Sequence, residues 1–267
     1  MCGNPLSIKI KFIKSHISKQ LLFDGNTVMI RVHPRAMIHI LLLCFFGTTG
    51  WIVDAHQPSS EIPDPRRFET EILVFEKAEQ KKASPKGSVL FVGSSTIRDW
   101  HSLNSDFDAS NFVNRGFGGS RMTDVTYHLD RILGNTDPRV LVLYEGDNDI
   151  HEGVGVNELL NHYDEFYNKF RSRLPNCHLY VISIKPSPSR SGEWPKSRKA
   201  NIRLKAWAES KPRTTYVDIA TAMLNENGKP RKDLFKYDLL HMNRKGYRIW
   251  IDSLKPVFIK DYVDRDS

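Results

Sequence analysis

Apolar runs and helix-like patterns alternate along the chain from residue 88 onward. Several of the apolar runs are near-continuous stretches of Val, Ile and Leu, as expected for strands that are buried on both faces of a sheet. They cover 88–93, 111–115, 139–145, 178–184 and 214–219, and the helix-like segments cover 120–133, 156–173, 195–210 and 243–260. This alternation predicts a single three-layer α/β/α domain of the flavodoxin-like type, with a mostly parallel five-stranded sheet.

Two further segments precede the first predicted strand. Residues 66–82 place Phe68, Ile72 and Phe75 on one face, which predicts an amphipathic helix. Residues 56–65 are polar and rich in proline, which is typical of a linker. The main domain is therefore expected to span 66–267.

The most hydrophobic stretch lies near the N-terminus, at residues 37–53, and reads MIHILLLCFFGTTGWIV. Arg31 and Arg35 precede it, and small residues suited to signal peptidase follow it up to Ala55. This order predicts a secretory signal, so we expect a secreted or periplasmic protein. An uncleaved membrane anchor is the alternative, although the stretch is shorter than the roughly 20 apolar residues of a spanning helix.

The segment before this signal is longer than a signal peptide requires. Met29 offers a natural start, so residues 1–28 are interpreted as an upstream extension. The expected organisation is therefore extension plus signal peptide over 1–55, linker over 56–65, and then the main domain.

Composition and charge favour an ordinary globular domain. Of the 267 residues, 40% are hydrophobic and 26% are charged, which is enough for a packed core. The formal net charge is +8, but residues 1–55 hold six Lys or Arg and only two acidic residues, so half of the excess lies there. We therefore expect neither a nucleic-acid partner nor stable membrane insertion after signal removal.

The three cysteines are Cys2, Cys44 and Cys177. They form no Cys-x-x-Cys or Cys/His pattern that would indicate zinc. Cys177 opens an apolar run, which predicts a buried structural thiol. No metal or organic cofactor is expected.

A serine motif, Gly93-Ser94-Ser95-Thr96, follows the first predicted strand. A serine on a turn between strand and helix can expose its hydroxyl, and its backbone N–H can face a developing oxyanion. Taken alone, the motif is explained at least as well by a serine that caps the next helix.

Two polar loops follow the next two predicted strands. Gly116, Gly118 and Gly119 would let backbone approach a ligand closely, although a plain turn explains them too. In the second loop, the side chain of Asn148 could donate to an oxyanion, or the segment could form a simple Asx turn. The glycine loop matches no phosphate-binding pattern, and the acidic residues of the second loop lack the spacing of a calcium loop.

The fourth motif, before the last helix, places Asp238 and His241 three residues apart. A carboxylate at that spacing can accept from the imidazole, fix its tautomer and stabilise its protonated form.

Taken together, the four motifs resemble the SGNH, or GDSL-like, hydrolase family over residues 88–255. The resemblance implies Ser95 as nucleophile with Asp238 and His241 completing a triad. It also implies an oxyanion hole formed by the Ser95 and Gly119 amides and the Asn148 side chain. Ser94 stands where the family often has Asp, so Ser94 is kept as the alternative nucleophile.

The family resemblance implies a serine esterase that forms an acyl-enzyme. The ester could be small or linked to carbohydrate or lipid. The alternatives are a non-catalytic carbohydrate- or lipid-binding protein that retains the fold, and a flavodoxin-like nucleotide binder.

Other side chains are candidates for contacting the substrate. Trp194, in the Pro/Ser-rich loop 185–195, and Trp100 are candidates for lining the substrate pocket, with packing in the core or at its rim as the alternative. Arg98 and Arg115 would either meet an anionic group or form structural ion pairs.

Overall fold

The computed structural model describes residues 63–263 and two short strands near the N-terminus; side chains are described as far as Phe258. β1 (Leu21–Phe23) and β2 (Asn26–Val28) form an antiparallel pair within a compact unit of their own. The predicted signal segment 37–53 and most of the linker lie outside the described residues, so both stay predictions.

Five parallel strands form the central sheet of the main unit. They are β3 (Val89–Gly93), β4 (Phe112–Gly116), β5 (Val140–Tyr144), β6 (His178–Ile182) and β7 (Thr214–Val217). Their order across the sheet is β4-β3-β5-β6-β7, and every neighbouring pair is parallel. This is the strand order of flavodoxin-like folds, so the predicted fold class is confirmed.

Helices connect and cover the strands. They are α1 (Glu69–Lys81), α2 (Ser95–Arg98), α3 (Leu103–Asp106), α4 (Met122–Leu133), α5 (Asp147–His151), α6 (Val156–Arg173), α7 (Trp194–Glu209) and α8 (Arg244–Val263). The long helices agree closely with the predicted segments. Among the described helices, none has both the length and the apolar character needed to cross a bilayer.

Alternate residues of the strands pack into two separate hydrophobic cores, one on each face of the sheet. On β3, Leu90 and Val92 pack with α1, α4, α6 and α7 on one face of the sheet. Val89 and Phe91 pack with α2, α3 and α8 on the other face. Because strand side chains alternate between faces, near-continuous apolar strands fill both cores and produce the three layers.

Strand β3 lies between β4 and β5 in the sheet. Gly93, its last residue, is opposite Gly116 of β4 and Tyr144 of β5. Its φ is +152°, and a Cβ at this position would overlap the Tyr144 carbonyl oxygen. Glycine is therefore required here, because only glycine combines this φ with the close approach of two backbones.

The predicted structural thiol is found as expected. Cys177 is buried, directly before β6, and burial raises the pKa of its thiol to about 12. It therefore stays protonated, as a packed rather than a reactive cysteine.

Buried carboxyl groups lie behind the carboxyl end of β5. Glu145 is fully buried and accepts a 2.6 Å hydrogen bond from the Ser120 hydroxyl. Burial, together with the nearby Asp149, raises the pKa of Glu145 well above its ordinary value. Burial also raises the pKa of Asp149 to about 7. Both carboxyl groups therefore favour the protonated form more than an exposed carboxyl does.

Phe91 is the aromatic centre of the second core and should carry a large share of stability. It is fully buried, and its ring lies 5.4 Å from Phe112 and 5.8 Å from Trp100, centroid to centroid. We expect Phe91→Ala to lower the free energy of unfolding by about 3–5 kcal/mol, measured by urea titration. Ile202→Ala, at a side chain that is 65% exposed, should change it by less than about 0.5 kcal/mol. Equal effects of the two substitutions would contradict this packing.

Glu145 should make the fold less stable as pH rises. The unfolded chain releases this proton near the ordinary pKa of 4.5, whereas the folded chain retains it. The native state therefore binds more protons above that pH, and stability falls until the raised pKa is reached. We expect Glu145→Gln to flatten the loss of stability as pH rises above about 5, measured by urea unfolding. Glu226→Gln, at an exposed loop position, is the control and should keep the wild-type slope.

Candidate active site

The serine motif forms the sharp turn between β3 and α2. Ser94 is buried, and its carbonyl accepts the amides of Ile97 at 3.0 Å and Arg98 at 3.1 Å. Its side chain makes no capping hydrogen bond, although it occupies the cap position. Ser95 begins the helix and is partly exposed. The turn thus buries the first serine and presents the second.

A continuous chain of hydrogen bonds joins the three residues of the predicted triad. His241 Nε2 lies 3.0 Å from Ser95 Oγ, and His241 Nδ1 lies 2.7 Å from Asp238 Oδ2. Burial opposes ionisation of Asp238, but hydrogen bonds from the Leu240 amide and His241 dominate and lower its pKa to about 2. An ionised carboxylate only accepts, so Nδ1 carries the proton and Nε2 is left to accept from the serine hydroxyl.

Internal hydrogen bonds close the loop that carries Asp238 and His241. Asp238 Oδ1 accepts the amides of Leu240 and His241, each at 2.9 Å. Leu239 adopts a left-handed φ of +57°, and its carbonyl accepts the Ser189 amide at 3.1 Å. The pair is therefore held in position by backbone geometry as well as by its own hydrogen bond.

The loops after β4 and β5 are joined through Asn148. Its Nδ2 donates to the Ser120 carbonyl at 2.8 Å, and its Oδ1 accepts from Arg190 Nη2 at 3.1 Å. These two contacts fix which end of the amide is the donor and leave its second N–H unused. Gly119, directly before Ser120, has a φ of +83°. Gly119 and Asn148, the two oxyanion donors predicted in these loops, therefore lie in loops that are joined by a hydrogen bond.

A buried ion cluster supports this arrangement and was missed in the sequence. Asp147 is buried, pairs with Lys185 Nζ, and lies 2.8 Å from Arg190 Nη1. Burial raises its pKa, but the two cations outweigh burial, so the pKa is lowered overall. No spacing links residues 147, 185 and 190. The only signal in the sequence was a Pro/Ser-rich loop at the carboxyl end of a strand.

The remaining candidate side chains have different positions. Trp194 starts α7 and packs, half-buried, against the second core, and its part in substrate binding stays a prediction. Trp100 is only 1% exposed and its Nε1 donates to Asp106 at 2.8 Å, so it packs in the core, which is the alternative interpretation, and lines no pocket. Arg115 is buried and paired with Glu79 at 2.8 Å, so it forms a structural ion pair, the second of the two roles that the sequence left open.

Among the described residues, no group of three or more His, Cys, Asp or Glu side chains is arranged to hold a metal ion.

Several solved structures share this fold. A Streptococcus pneumonia protein, provisionally described as a platelet activating factor, is 23% identical, with a TM-score of 0.64 over 71% of this chain and 91% of its own. A GDSL-like lipase from Bacteroides thetaiotaomicron is 20% identical, with a TM-score of 0.60 over 74% of this chain and 98% of its own. A carbohydrate esterase family 3 protein from Talaromyces cellulolyticus is 18% identical, with a TM-score of 0.55 over 66% and 98% respectively. At these identities the likeness concerns the fold.

Sequence comparison identifies the family. No curated protein sequence matches the chain. The model of the GDSL-like lipase/acylhydrolase family matches residues 90–249, more than half of the sequence, and this range includes all four motifs. The chain therefore belongs to the GDSL-like lipase/acylhydrolase family, as its motifs predict, and is a hydrolase of ester bonds.

Proposed function

We propose that this protein is a serine esterase that works through an acyl-enzyme on Ser95. The observation that carries the proposal is the unbroken hydrogen-bonded chain from Ser95 through His241 to Asp238. A base that contacts the nucleophile and is itself oriented by a third group is the arrangement that activates a hydroxyl.

In the first half-reaction, His241 Nε2 takes the proton of the Ser95 hydroxyl as Oγ attacks the ester carbonyl carbon. Asp238 stabilises the imidazolium that forms, because it remains ionised at every working pH. The tetrahedral intermediate then collapses, the bond to the alcohol oxygen breaks, and His241 donates its proton to the departing alcohol.

The negative charge of the intermediate rests on three N–H donors: the Ser95 amide, the Gly119 amide and the free N–H of Asn148. The contacts to Ser120 and Arg190 support this role, because they orient the Asn148 amide before the substrate arrives. A donor that is already oriented loses little energy to reorganisation when charge develops. Arg190 is thus a positioning residue in this proposal.

In the second half-reaction, water repeats the attack. His241 removes one water proton, the water oxygen bonds to the acyl carbon, and the bond to Ser95 Oγ breaks. Ser95 recovers its proton from His241, and a carboxylic acid is released.

The proposed substrates are small acyl esters or acyl groups linked to carbohydrate or lipid. Two solved structures with this fold are described as family 3 carbohydrate esterases, which supports acylated carbohydrate as one class to test. Segment 37–53 supports a secreted or periplasmic site of action.

The serine assignment is tested by p-nitrophenyl acetate hydrolysis. We expect Ser95→Ala to abolish turnover, because Ser95 Oγ is the hydroxyl in contact with His241. Ser94→Ala should keep most of the activity, since Ser94 is buried behind the turn. The reverse pattern would move the nucleophile by one residue.

An organophosphonate that labels serine nucleophiles separates the enzyme from a binding protein. We expect one equivalent to bind wild type and none to bind Ser95→Ala, measured by intact mass. A folded wild type that neither turns over esters nor takes the label would favour the non-catalytic alternative.

The oxyanion role of Asn148 predicts a loss in kcat. Removing one such donor costs about 3–4 kcal/mol of transition-state stabilisation, so Asn148→Ala should lower kcat on the order of 100–1000-fold with a smaller change in KM. Arg190→Met should lower kcat less, because it removes the orienting contact but keeps the donor. Asn227→Ala, in an exposed loop, is the control and should match wild type. Near-normal turnover by Asn148→Ala would contradict the assignment.

A further inference from the structure

Two cations share a single carboxylate beside the proposed nucleophile. Arg98 Nε donates to Asp99 Oδ1 at 2.9 Å, and Lys236 Nζ lies 3.6 Å from Asp99 Oδ2. The three charges leave one positive charge uncompensated within the group. We call Arg98, Asp99 and Lys236 the rim triplet.

The rim triplet includes residues from both segments that carry the proposed triad. Arg98 lies three residues after Ser95, on the same short helix α2. Lys236 begins the closed loop of the acid–base pair, and its backbone amide donates to the His241 carbonyl at 2.7 Å. The uncompensated positive charge therefore lies on the two segments that carry the proposed nucleophile and its base.

The guanidinium of Arg98 rests in a space that glycine provides. A Cβ on Gly118 would overlap Arg98 Nη1 and lie 2.6 Å from its Cζ. A Cβ on Gly116 would overlap the Arg98 backbone nitrogen. Any larger residue at 118 would displace the guanidinium, so the glycine loop holds the charged group as well as bending the chain.

The exposed nitrogens of Arg98 remain available. The side chain is 49% exposed, and among the described residues only Asp99 accepts hydrogen bonds from it, through Nε alone. Arg244, by contrast, uses both terminal nitrogens on Asp106, and Arg115 uses Nη2 on Glu79. Arg98 is thus anchored through Nε, and its terminal N–H groups donate to no acceptor among the described residues.

The guanidinium lies beside the glycine loop of the proposed oxyanion hole. Gly118, against which the guanidinium lies, directly precedes Gly119, whose amide is a proposed oxyanion donor. A planar guanidinium with two free nitrogens binds carboxylate or phosphate in a bidentate manner. A neutral substrate would leave these donors to water.

From this geometry we propose that Arg98, assisted by Lys236, binds an anionic group on the substrate, so that the preferred esters carry a carboxylate or phosphate close to the ester bond. This inference rests on the proposed esterase function and names its substrate class. Asp99 is the positioning residue that holds both cations.

Matched ester pairs test the inference. On the acyl side, p-nitrophenyl hemisuccinate is compared with its methyl ester. On the alcohol side, 4-acetoxybenzoate and 4-acetoxyphenyl phosphate are compared with methyl 4-acetoxybenzoate, which also distinguishes carboxylate from phosphate. The readout is the ratio of kcat/KM for the anionic ester to kcat/KM for its neutral partner.

We expect wild type to prefer the anionic ester in at least one pair. Arg98→Gln should reduce that preference by about tenfold or more, since charge-assisted hydrogen bonds are lost. Lys236→Gln should reduce it less, and Arg98→Lys should give an intermediate value. Arg248→Gln removes an equal charge at an exposed position of α8 and should leave the ratio unchanged. Added salt should weaken the wild-type preference.

Three outcomes would overturn the inference. The first is a wild type that shows no anionic preference in any pair. The second is an Arg98→Gln variant, folded by circular dichroism, that slows both members of each pair equally. The third is an Arg248→Gln variant that changes the ratio as much as Arg98→Gln does. These three outcomes leave the proposed esterase function standing if neutral esters are still cleaved and Ser95 is still labelled. A wild type that neither cleaves esters nor takes the label would instead refute the proposed function.

Discussion

The site depends on how closely the carboxyl ends of β3, β4 and β5 approach one another. Gly93 leaves no room for a side chain between its strand and the Tyr144 carbonyl, and Gly116 leaves none beside the backbone of α2. This contact places the serine turn, the glycine loop and the Asn148 loop side by side. In a parallel sheet, ligands bind where the connections diverge from neighbouring strand ends, and here that point lies between β3 and β5.

Charge at this edge is arranged in two layers. Below the surface, Asp147 pairs with both Lys185 and Arg190, and the buried carboxyl of Glu145 lies behind the Ser120 hydroxyl. At the surface, Asp238 orients His241 and remains ionised. Buried ions cost several kcal/mol each unless they are paired. In the lower layer Asp147 pairs with Arg190, and Arg190 in turn orients the Asn148 amide.

Much of the fold was predictable because its signals are local. The apolar runs of β3 and β5 and the spacing of α4 and α6 follow directly from burial on both sheet faces and from the helical repeat. The four motifs were also visible, since each sits at the end of an element. The position of Trp100 stayed open in the sequence because an aromatic side chain next to a motif can point either into the core or out of it. Arg190 was not identified at all, because its partner lies 42 residues away in sequence.

The sequence by itself determined the fold class, the family and the chemical types available at the sheet edge, because periodicity and short motifs are encoded in neighbouring residues. Tertiary structure decided which serine meets His241, which end of the Asn148 amide donates, and which arginine is buried in a pair and which keeps free donors. Those outcomes depend on distances between segments far apart in the chain, and such distances are fixed only when the strands pack in register and the two cores close around them.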